Sequence, residues 1–142
     1  MTTVGERTPL RVDLPAWQTS PGLARTYVRE RARRLGLGRV AVENAELIAS
    51  ELVTNAVQQP HRTLDTVTLF LGERPRGLVL AVLDHAPARP AVPSADDALE
   101  PDPADLATTG RGLFIVRALA RDVWVEPLRP GPGKWVCAAL RT

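Results

Sequence analysis

The stretch from Glu43 to Gln59 carries two stripes of side chains at helical spacing, one apolar and one polar. At about 100° per residue the two stripes lie roughly 100° to 120° apart around a helix axis. Nothing in the stretch breaks a helix, and it ends just before Pro60. The pattern therefore predicts a helix that packs its apolar face on a sheet. The apolar stripe is Ala45, Ala49, Leu52, Val53 and Ala56, and the polar stripe is Asn44, Glu51, Asn55 and Gln58.

Two polar residues of this helix, Glu51 and Asn55, are four positions apart and so lie on neighbouring turns of one face. A carboxylate and a carboxamide placed in this way could supply a proton acceptor and an oxygen ligand for a hard cation such as Mg²⁺. The simpler interpretation is a half-buried helix whose polar face is solvated. The helix alone does not decide between these two interpretations.

The residues before this helix predict a strand and a first helix. Leu10 to Leu14 alternates between apolar and polar residues, as an edge strand does, and Pro15 ends it. Ser20 followed by Pro21 predicts a helix start, with Ser20 as the N-cap. This first helix is expected to end near two glycines, Gly36 and Gly38, and to bury Ala24, Tyr27, Val28, Ala32 and Leu35.

After Pro60 the spacing of apolar residues changes to that of strands. Thr66 to Leu71 alternates, and Leu78 to Leu83 is apolar on both faces, which is typical of a central strand. Asp84 follows that strand directly. A carboxylate there could accept a hydrogen bond from an exocyclic amine such as that of adenine, but Asp also starts turns for local reasons.

Residues from about 85 to 109 are rich in proline and acidic side chains and show little periodicity. They predict a long loop, and a loop of this length inside a compact domain can serve as a lid. Gly110-Arg111-Gly112 follows and runs into an apolar helix ending near Ala120. Two short strands, Val123 to Val125 and Trp135 to Leu140, complete the chain.

The Gly110-Arg111-Gly112 turn has a direct chemical use at the start of a helix. Free backbone N–H groups and the positive helix end attract a phosphate, and glycine lets it approach closely. A glycine turn needed only for backbone geometry is the alternative. The turn is not a dinucleotide-binding fingerprint, because Ile115 stands where a third glycine is required, and no Walker A lysine follows it.

Composition narrows the class of protein. The length of 142 residues predicts one domain over 10–142 after a flexible 1–9, and a net charge of +2 argues against direct nucleic-acid binding. Cys137 is the one cysteine and only two histidines are present, so neither an internal disulfide nor a zinc site is expected. Neither a signal peptide nor a membrane-spanning run is apparent, which predicts a cytoplasmic protein without membrane contact.

The order of these motifs resembles the ATP-binding fold shared by DNA gyrase, chaperone ATPases, mismatch-repair ATPases and histidine kinases. Within it, Glu51 to Val57 and Gly110 to Val116 look most like the small anti-sigma-factor serine kinases of bacterial partner-switching systems. The resemblance extends from about Leu10 to Leu140. It implies an α/β two-layer sandwich of the Bergerat type, with a mixed, mostly antiparallel sheet covered on one face by about three helices.

The resemblance also implies roles for single residues, with ATP and Mg²⁺ as cofactors. Glu51 would be the general base, and Asn55 would hold Mg²⁺ and the phosphates. Asp84 would bind the adenine amine. The phosphates would be covered by Thr109, Gly110, Arg111 and Gly112.

The implied function is phosphorylation of a serine on an antagonist (anti-anti-sigma) protein by a homodimer that also binds a sigma factor. The chain departs from the family pattern at Lys134, where a threonine is common, and at His85 to Pro87, where a glycine is usual. Because of these departures, the alternative function is that of a partner-binding module with a degenerate or structural nucleotide site. An autonomous ATPase is disfavoured, because such relatives carry additional domains.

Overall fold

The computed structural model describes residues 8–60, 62–86 and 110–142 of the chain, with the backbone alone for Gly110 and Arg111. These residues form five strands and three helices. In chain order the elements are β1 (Leu10–Pro15), α1 (Ser20–Arg34), α2 (Arg39–Val57), β2 (Thr66–Arg74), β3 (Gly77–Asp84), α3 (Gly110–Leu119), β4 (Asp122–Pro127) and β5 (Lys134–Ala139).

The five strands form one sheet in the order β1-β2-β3-β5-β4, and every neighbouring pair is antiparallel. The helices cover one face of this sheet. The predicted α/β two-layer sandwich is therefore confirmed, with β3 as its central strand. Within the described part of the chain, no strand pair is parallel.

The apolar stripe of α2 is buried as the spacing predicts, and it packs against alternate residues of β2, β3 and β5. Helix α2 begins at Arg39, about one turn earlier than its amphipathic pattern indicates. The stripe and the strand residues below it are between 0 and 1% exposed, which places the main core between α2 and the sheet. Its central members include Ala45, Ala49, Leu52, Val53, Ala56, Leu69, Leu80, Val82 and Val136.

Helix α1 differs from its prediction in two details. It begins at Ser20 itself, because the Ser20 hydroxyl donates a hydrogen bond to the carbonyl of Pro15 instead of capping the helix. Tyr27 is 41% exposed, whereas Ala24 and Val28 are fully buried. The small residues on α1 thus allow close packing on α2, and the larger tyrosine lies at the rim.

Two arginines of α1 bind α2 through polar contacts. Arg29 Nη2 lies 2.7 Å from Glu46 Oε1, and Arg25 donates to the Ser50 hydroxyl at 2.8 Å. The hydrogen bond and the charge of Glu46 raise the pKa of Arg29 above its usual value. Arg25 and Arg29 therefore hold the two helices together.

No helix in the described ranges combines the length and the apolarity needed to cross a membrane.

The opposite face of the sheet carries a small second cluster around Val79, Ala81 and Cys137. Three aromatic side chains flank this cluster, and the guanidinium group of an arginine lies over each ring. The distance from the arginine Cζ to the ring centroid is 4.1 Å for Arg76 over Trp124, 5.6 Å for Arg11 over Trp135 and 5.9 Å for Arg74 over Phe70. A cavity of about 420 Å³ lies among these side chains. The aromatic and guanidinium groups therefore shield apolar strand residues that no described helix covers.

We expect the Cys137 thiol to be unreactive in the folded protein. Burial raises its pKa to about 12, assisted by the charge of Glu126 and opposed by Arg76 and Arg74. An aromatic disulfide reagent at pH 8 should react rapidly only after the protein is unfolded in guanidinium chloride.

In the folded protein the pKa of the Cys137 thiol lies above that of a free thiol, which is about 8.5. The contribution of the thiol to the free energy of unfolding is therefore complete below about pH 8.5. It should decrease as the pH rises toward 12. The free energy of unfolding of Cys137→Ala, measured as a function of pH, should lack that part of the decrease. Rapid labelling of the native protein at pH 8 would contradict this prediction.

Candidate functional site

Asn55 lies on the last full turn of α2 and is 2% exposed, yet neither Oδ1 nor Nδ2 has a hydrogen-bond partner among the described residues. A buried polar group without a partner costs about 1–3 kcal/mol. Native structures therefore rarely retain such a group without a functional reason. The Asn55 amide has the donor and acceptor capacity to bind a ligand here.

Glu51 lies one turn before Asn55 and meets the first turn of α3. A methyl group built on Gly112 would lie 2.7 Å from Glu51 Oε2, closer than real Cβ contacts allow. Glycine is therefore needed at this position for the carboxylate to reach the start of α3. The first N–H groups of a helix have no partner within it and carry partial positive charge. The carboxylate and the helix start thus face one region.

Asp84 ends β3 and is fully buried on the helical side of the sheet, because it continues the inward alternation of Leu80 and Val82. Its Oδ1 accepts hydrogen bonds from the backbone N–H of Ala86 at 3.0 Å and from Lys134 Nζ at 2.9 Å. Its Oδ2 is buried and has no partner among the described residues. One acceptor of this carboxylate therefore remains open.

Lys134 begins β5 directly opposite Asp84 in the β3–β5 register and is only 1% exposed. Gly133 precedes it with φ +120°, and a Cβ there would lie 2.7 Å from the carbonyl oxygen of Asp84. Glycine therefore allows the turn before β5 to approach the end of β3 closely. This approach lets the lysine side chain reach the carboxylate inside the protein.

Gln59 connects this ion pair to α2. Its Nε2 donates to the carbonyl of Asn55 at 3.2 Å, and its Oε1 lies 3.4 Å from Lys134 Nζ. A chain of hydrogen bonds thus runs from the Asn55 backbone through Gln59 and Lys134 to Asp84. The unpartnered amide and the unpartnered carboxylate oxygen lie at the two ends of this chain.

The structure therefore places Glu51 against Gly112 in the first turn of α3, with Asn55 one turn further along α2. Asp84 is linked to the Asn55 backbone through Lys134 and Gln59. Gly110 lies in the first turn of α3, and Arg111 follows it in the backbone of the same turn. Thr109 lies outside the described residues, as does the predicted lid from 87 onwards.

The rest of the predicted polar stripe is less buried. Asn44 is half-buried, and Gln58 is exposed at the end of α2, where its backbone N–H donates to Thr54.

Two residues of the site, Lys134 and Gln59, were not predicted from the sequence to be site residues, and Lys134 was noted only as a departure from the family pattern. One signal could have identified Lys134. It is the single lysine among 18 basic residues, and it follows a turn sequence and begins an apolar strand. A charged residue at the first inward position of such a strand needs a buried partner. Gln59 gives no such signal, because its partners come from distant parts of the chain.

Among the described residues, no group of three or more His, Cys, Asp or Glu could hold a metal ion.

The comparisons with known proteins agree with this architecture. The family model for the histidine kinase-like ATPase domain matches residues 14–140. A solved structure of the RsbU and RsbW domains of Rv1364c from Mycobacterium tuberculosis superposes with a TM-score of 0.66 at 18% identity, over 94% of this chain. This chain spans about a third (32%) of that one. A search of curated proteins finds no match.

The family match covers nearly the whole chain and includes both Glu51 to Val57 and Gly110 to Val116. The superposition at 18% identity supports the same fold. The chain therefore belongs to the family of histidine kinase-like ATPase domains.

Proposed function

We propose that this protein is a regulatory ATP-binding protein of the anti-sigma-factor type that phosphorylates a serine on an antagonist protein. The main supporting observation is that the Glu51 carboxylate lies against Gly112 in the first turn of α3, one turn of α2 away from the unpartnered Asn55 amide. A carboxylate beside a helix start that can bind phosphate is the arrangement that hydroxyl-directed phosphoryl transfer requires.

The residues present suit Mg·ATP. Magnesium in such sites is bound by one or two protein oxygens together with substrate phosphates, and Asn55 Oδ1 is a buried oxygen that is free to act in this way. Asp84 Oδ2 is a buried acceptor that suits the adenine amine. Asn55 would hold the metal and the phosphates, and Thr109, Gly110, Arg111 and Gly112 would cover the phosphates.

When bound, ATP supplies a γ-phosphoryl group whose bond to the β–γ bridging oxygen breaks as a bond to the serine oxygen forms. Glu51 accepts the proton of that serine hydroxyl, which increases the nucleophilicity of the oxygen. The N-terminus of α3 offers positive partial charge to the oxygens on which negative charge develops. The two glycines let the backbone approach that charge without steric obstruction.

The expected partners are the antagonist protein that carries the serine and a sigma factor or similar regulator, with the kinase acting as a homodimer. The sequences from Glu51 to Val57 and from Gly110 to Val116 support this proposal, because both are close to the pattern of the anti-sigma serine kinases. Trp17, which is 65% exposed beside β1, is available for such a contact.

A second candidate is a partner-binding module without catalysis. The specific observation in its favour is the Lys134 ammonium on Asp84 Oδ1, because it already engages the carboxylate expected to recognise the base. Phosphoryl transfer to a serine substrate separates the two candidates, since a partner-binding module would transfer no phosphoryl group even with a structural nucleotide bound.

We expect Mg·ATP to stabilise the protein against heat. Ligand at a hundredfold excess over its dissociation constant adds about 2.7 kcal/mol, which corresponds to a rise of several degrees in Tm for a domain of this size. Asn55→Ala should lose most of the Mg²⁺-dependent part of the shift. Asn44→Ala changes a residue of the same polar stripe that lies outside the site, and this variant should retain the Mg²⁺-dependent part of the shift in Tm. Equal shifts in the two variants would remove Asn55 from the metal and phosphate site.

Glu51→Gln should leave the dissociation constant for Mg·ATP near that of the wild type. It should reduce phosphoryl transfer by roughly 10²- to 10⁴-fold, because the amide cannot accept the proton. The measurement is transfer of labelled γ-phosphate to a panel of anti-anti-sigma proteins in single-turnover experiments. An unchanged rate would show that Glu51 is not the base.

Gly112→Ala should reduce the same transfer rate by about 100-fold, because an added methyl group displaces the Glu51 carboxylate. Its effect on Tm should be small, since the displaced atoms are the end of a flexible side chain. Gly22→Ala is the matched control: it adds a methyl group near the start of α1, where the nearest atom is 3.5 Å away. It should not alter transfer. Normal transfer by Gly112→Ala would mean that the carboxylate position is not critical.

A further inference from the structure

The ion pair between Lys134 and Asp84 is unusual in its burial. The two residues are 1% and 0% exposed, and their charged atoms are 2.9 Å apart. Lys134 is also the one lysine in a chain that otherwise uses arginine for its basic residues. An ammonium group differs from a guanidinium in being a compact charge with three rotatable donors. A lysine at this position can therefore rotate its three donors to suit the acceptors around it.

The hydrogen bonds of the pair leave one donor and one acceptor unused. Lys134 Nζ has three donors, and its acceptors among the described residues are Asp84 Oδ1 and the more distant Gln59 Oε1. Asp84 Oδ1 is occupied by two donors, whereas Oδ2 has none. The buried pair thus has one unused acceptor, Asp84 Oδ2, and one donor of Lys134 beyond the two acceptors described.

A purely structural ion pair would be expected to satisfy both groups. Buried charge pairs are favourable only when hydrogen bonds occupy their remaining donors and lone pairs. Here Ala86 donates to Asp84 Oδ1 and Gln59 accepts from Lys134 Nζ. Asp84 Oδ2 has no partner among the described residues. An unused donor and an unused acceptor in a buried site fit a ligand that supplies the opposite pattern.

We infer that Lys134 is a specificity-determining residue that donates a hydrogen bond to N1 of adenine, while Asp84 Oδ2 accepts one from the 6-amino group. This inference depends on the proposed function, because it assigns the base contacts of the same nucleotide site. The edge of adenine presents a donor at position 6 and an acceptor at N1, the complement of this pair. Guanine presents the reverse order at these positions, an acceptor and then a donor.

The ion pair also lowers the electrostatic cost of placing a carboxylate in a buried site that contacts the base. A buried carboxylate without a counter-charge is costly. The ammonium beside Asp84 balances its charge within the protein. Lys134 would therefore act both as the counter-ion of Asp84 and as a second contact to the base.

Nucleotide analogues that each lack one hydrogen-bonding group test this inference by calorimetric titration. In 1-deaza-ATP a C–H replaces N1, and in purine riboside triphosphate the 6-amino group is missing. A hydrogen bond to a charged group predicts that the wild type binds each magnesium complex about 10- to 100-fold more weakly than Mg·ATP. Mg·GTP should bind more weakly than Mg·ATP.

Lys134→Met should bind ATP and 1-deaza-ATP equally within about twofold but retain the penalty for the missing 6-amino group. Arg29→Met is the matched control, since it removes the cationic partner of Glu46 far from this site. It should keep both penalties. If Lys134→Met does not fold, the analogue series on the wild type still decides the inference.

A spectroscopic measurement needs no variant. Protein labelled with ¹⁵N at lysine Nζ has one side-chain ammonium to observe, because the chain has one lysine. That resonance should shift on addition of Mg·ATP and shift much less with Mg·1-deaza-ATP at saturation. Equal shifts with the two nucleotides would contradict the contact with N1.

Equal wild-type affinities for ATP and 1-deaza-ATP would overturn the inference while leaving the proposed function intact. The same conclusion would follow if Lys134→Met bound ATP more tightly than the wild type, because the lysine would then obstruct the site. Preference for GTP would also overturn it. Binding of no nucleotide at all would overturn the proposed function together with the inference.

Discussion

The side chains of α2 have to satisfy two different environments, and the positions of the other elements follow from this division. One face is apolar and packs on β2 and β3, with Leu52 and Val53 fully buried. The neighbouring face carries Glu51 and Asn55, which cannot enter that apolar layer without partners. The sheet therefore fixes the rotation of the helix, and the polar face is directed toward α3.

The glycine at position 112 lets the Glu51 carboxylate lie against the first turn of α3. Any side chain there would occupy the space of the Glu51 carboxylate. The close approach places the Glu51 carboxylate at the start of α3, one turn of α2 away from the unpartnered Asn55 amide. The chemistry of the proposed function thus depends on one backbone contact between two helices that are distant in sequence.

The helices and strands were predictable because their patterns are local, whereas their assembly into two layers was implied by the family resemblance. The stripes of α2 and the continuous apolar run of β3 follow from side-chain periodicity alone. Tyr27 was predicted to be buried, but tertiary packing placed it at the rim. Helical spacing identifies a face of a helix and does not show how far the neighbouring helix extends over it.

The candidate site was predictable where its residues lie within one element, as Glu51 and Asn55 do. The contact of Lys134 with Asp84 was not, because it depends on the register of β3 with β5, which joins residues 50 positions apart. Gln59 reaches Lys134 across 75 positions. Neither separation leaves a periodic signal in the sequence.

These long separations have a consequence for how the domain folds. A partly folded chain with β3 in place but β5 absent would bury Asp84 without its ammonium partner, which is unfavourable by about several kcal/mol. The burial of the carboxylate and the docking of β5 should therefore occur together. This coupling disfavours partly ordered intermediates and makes unfolding more nearly all-or-none. Slow amide hydrogen exchange in α2, β3 and β5 should then report a single cooperative unit.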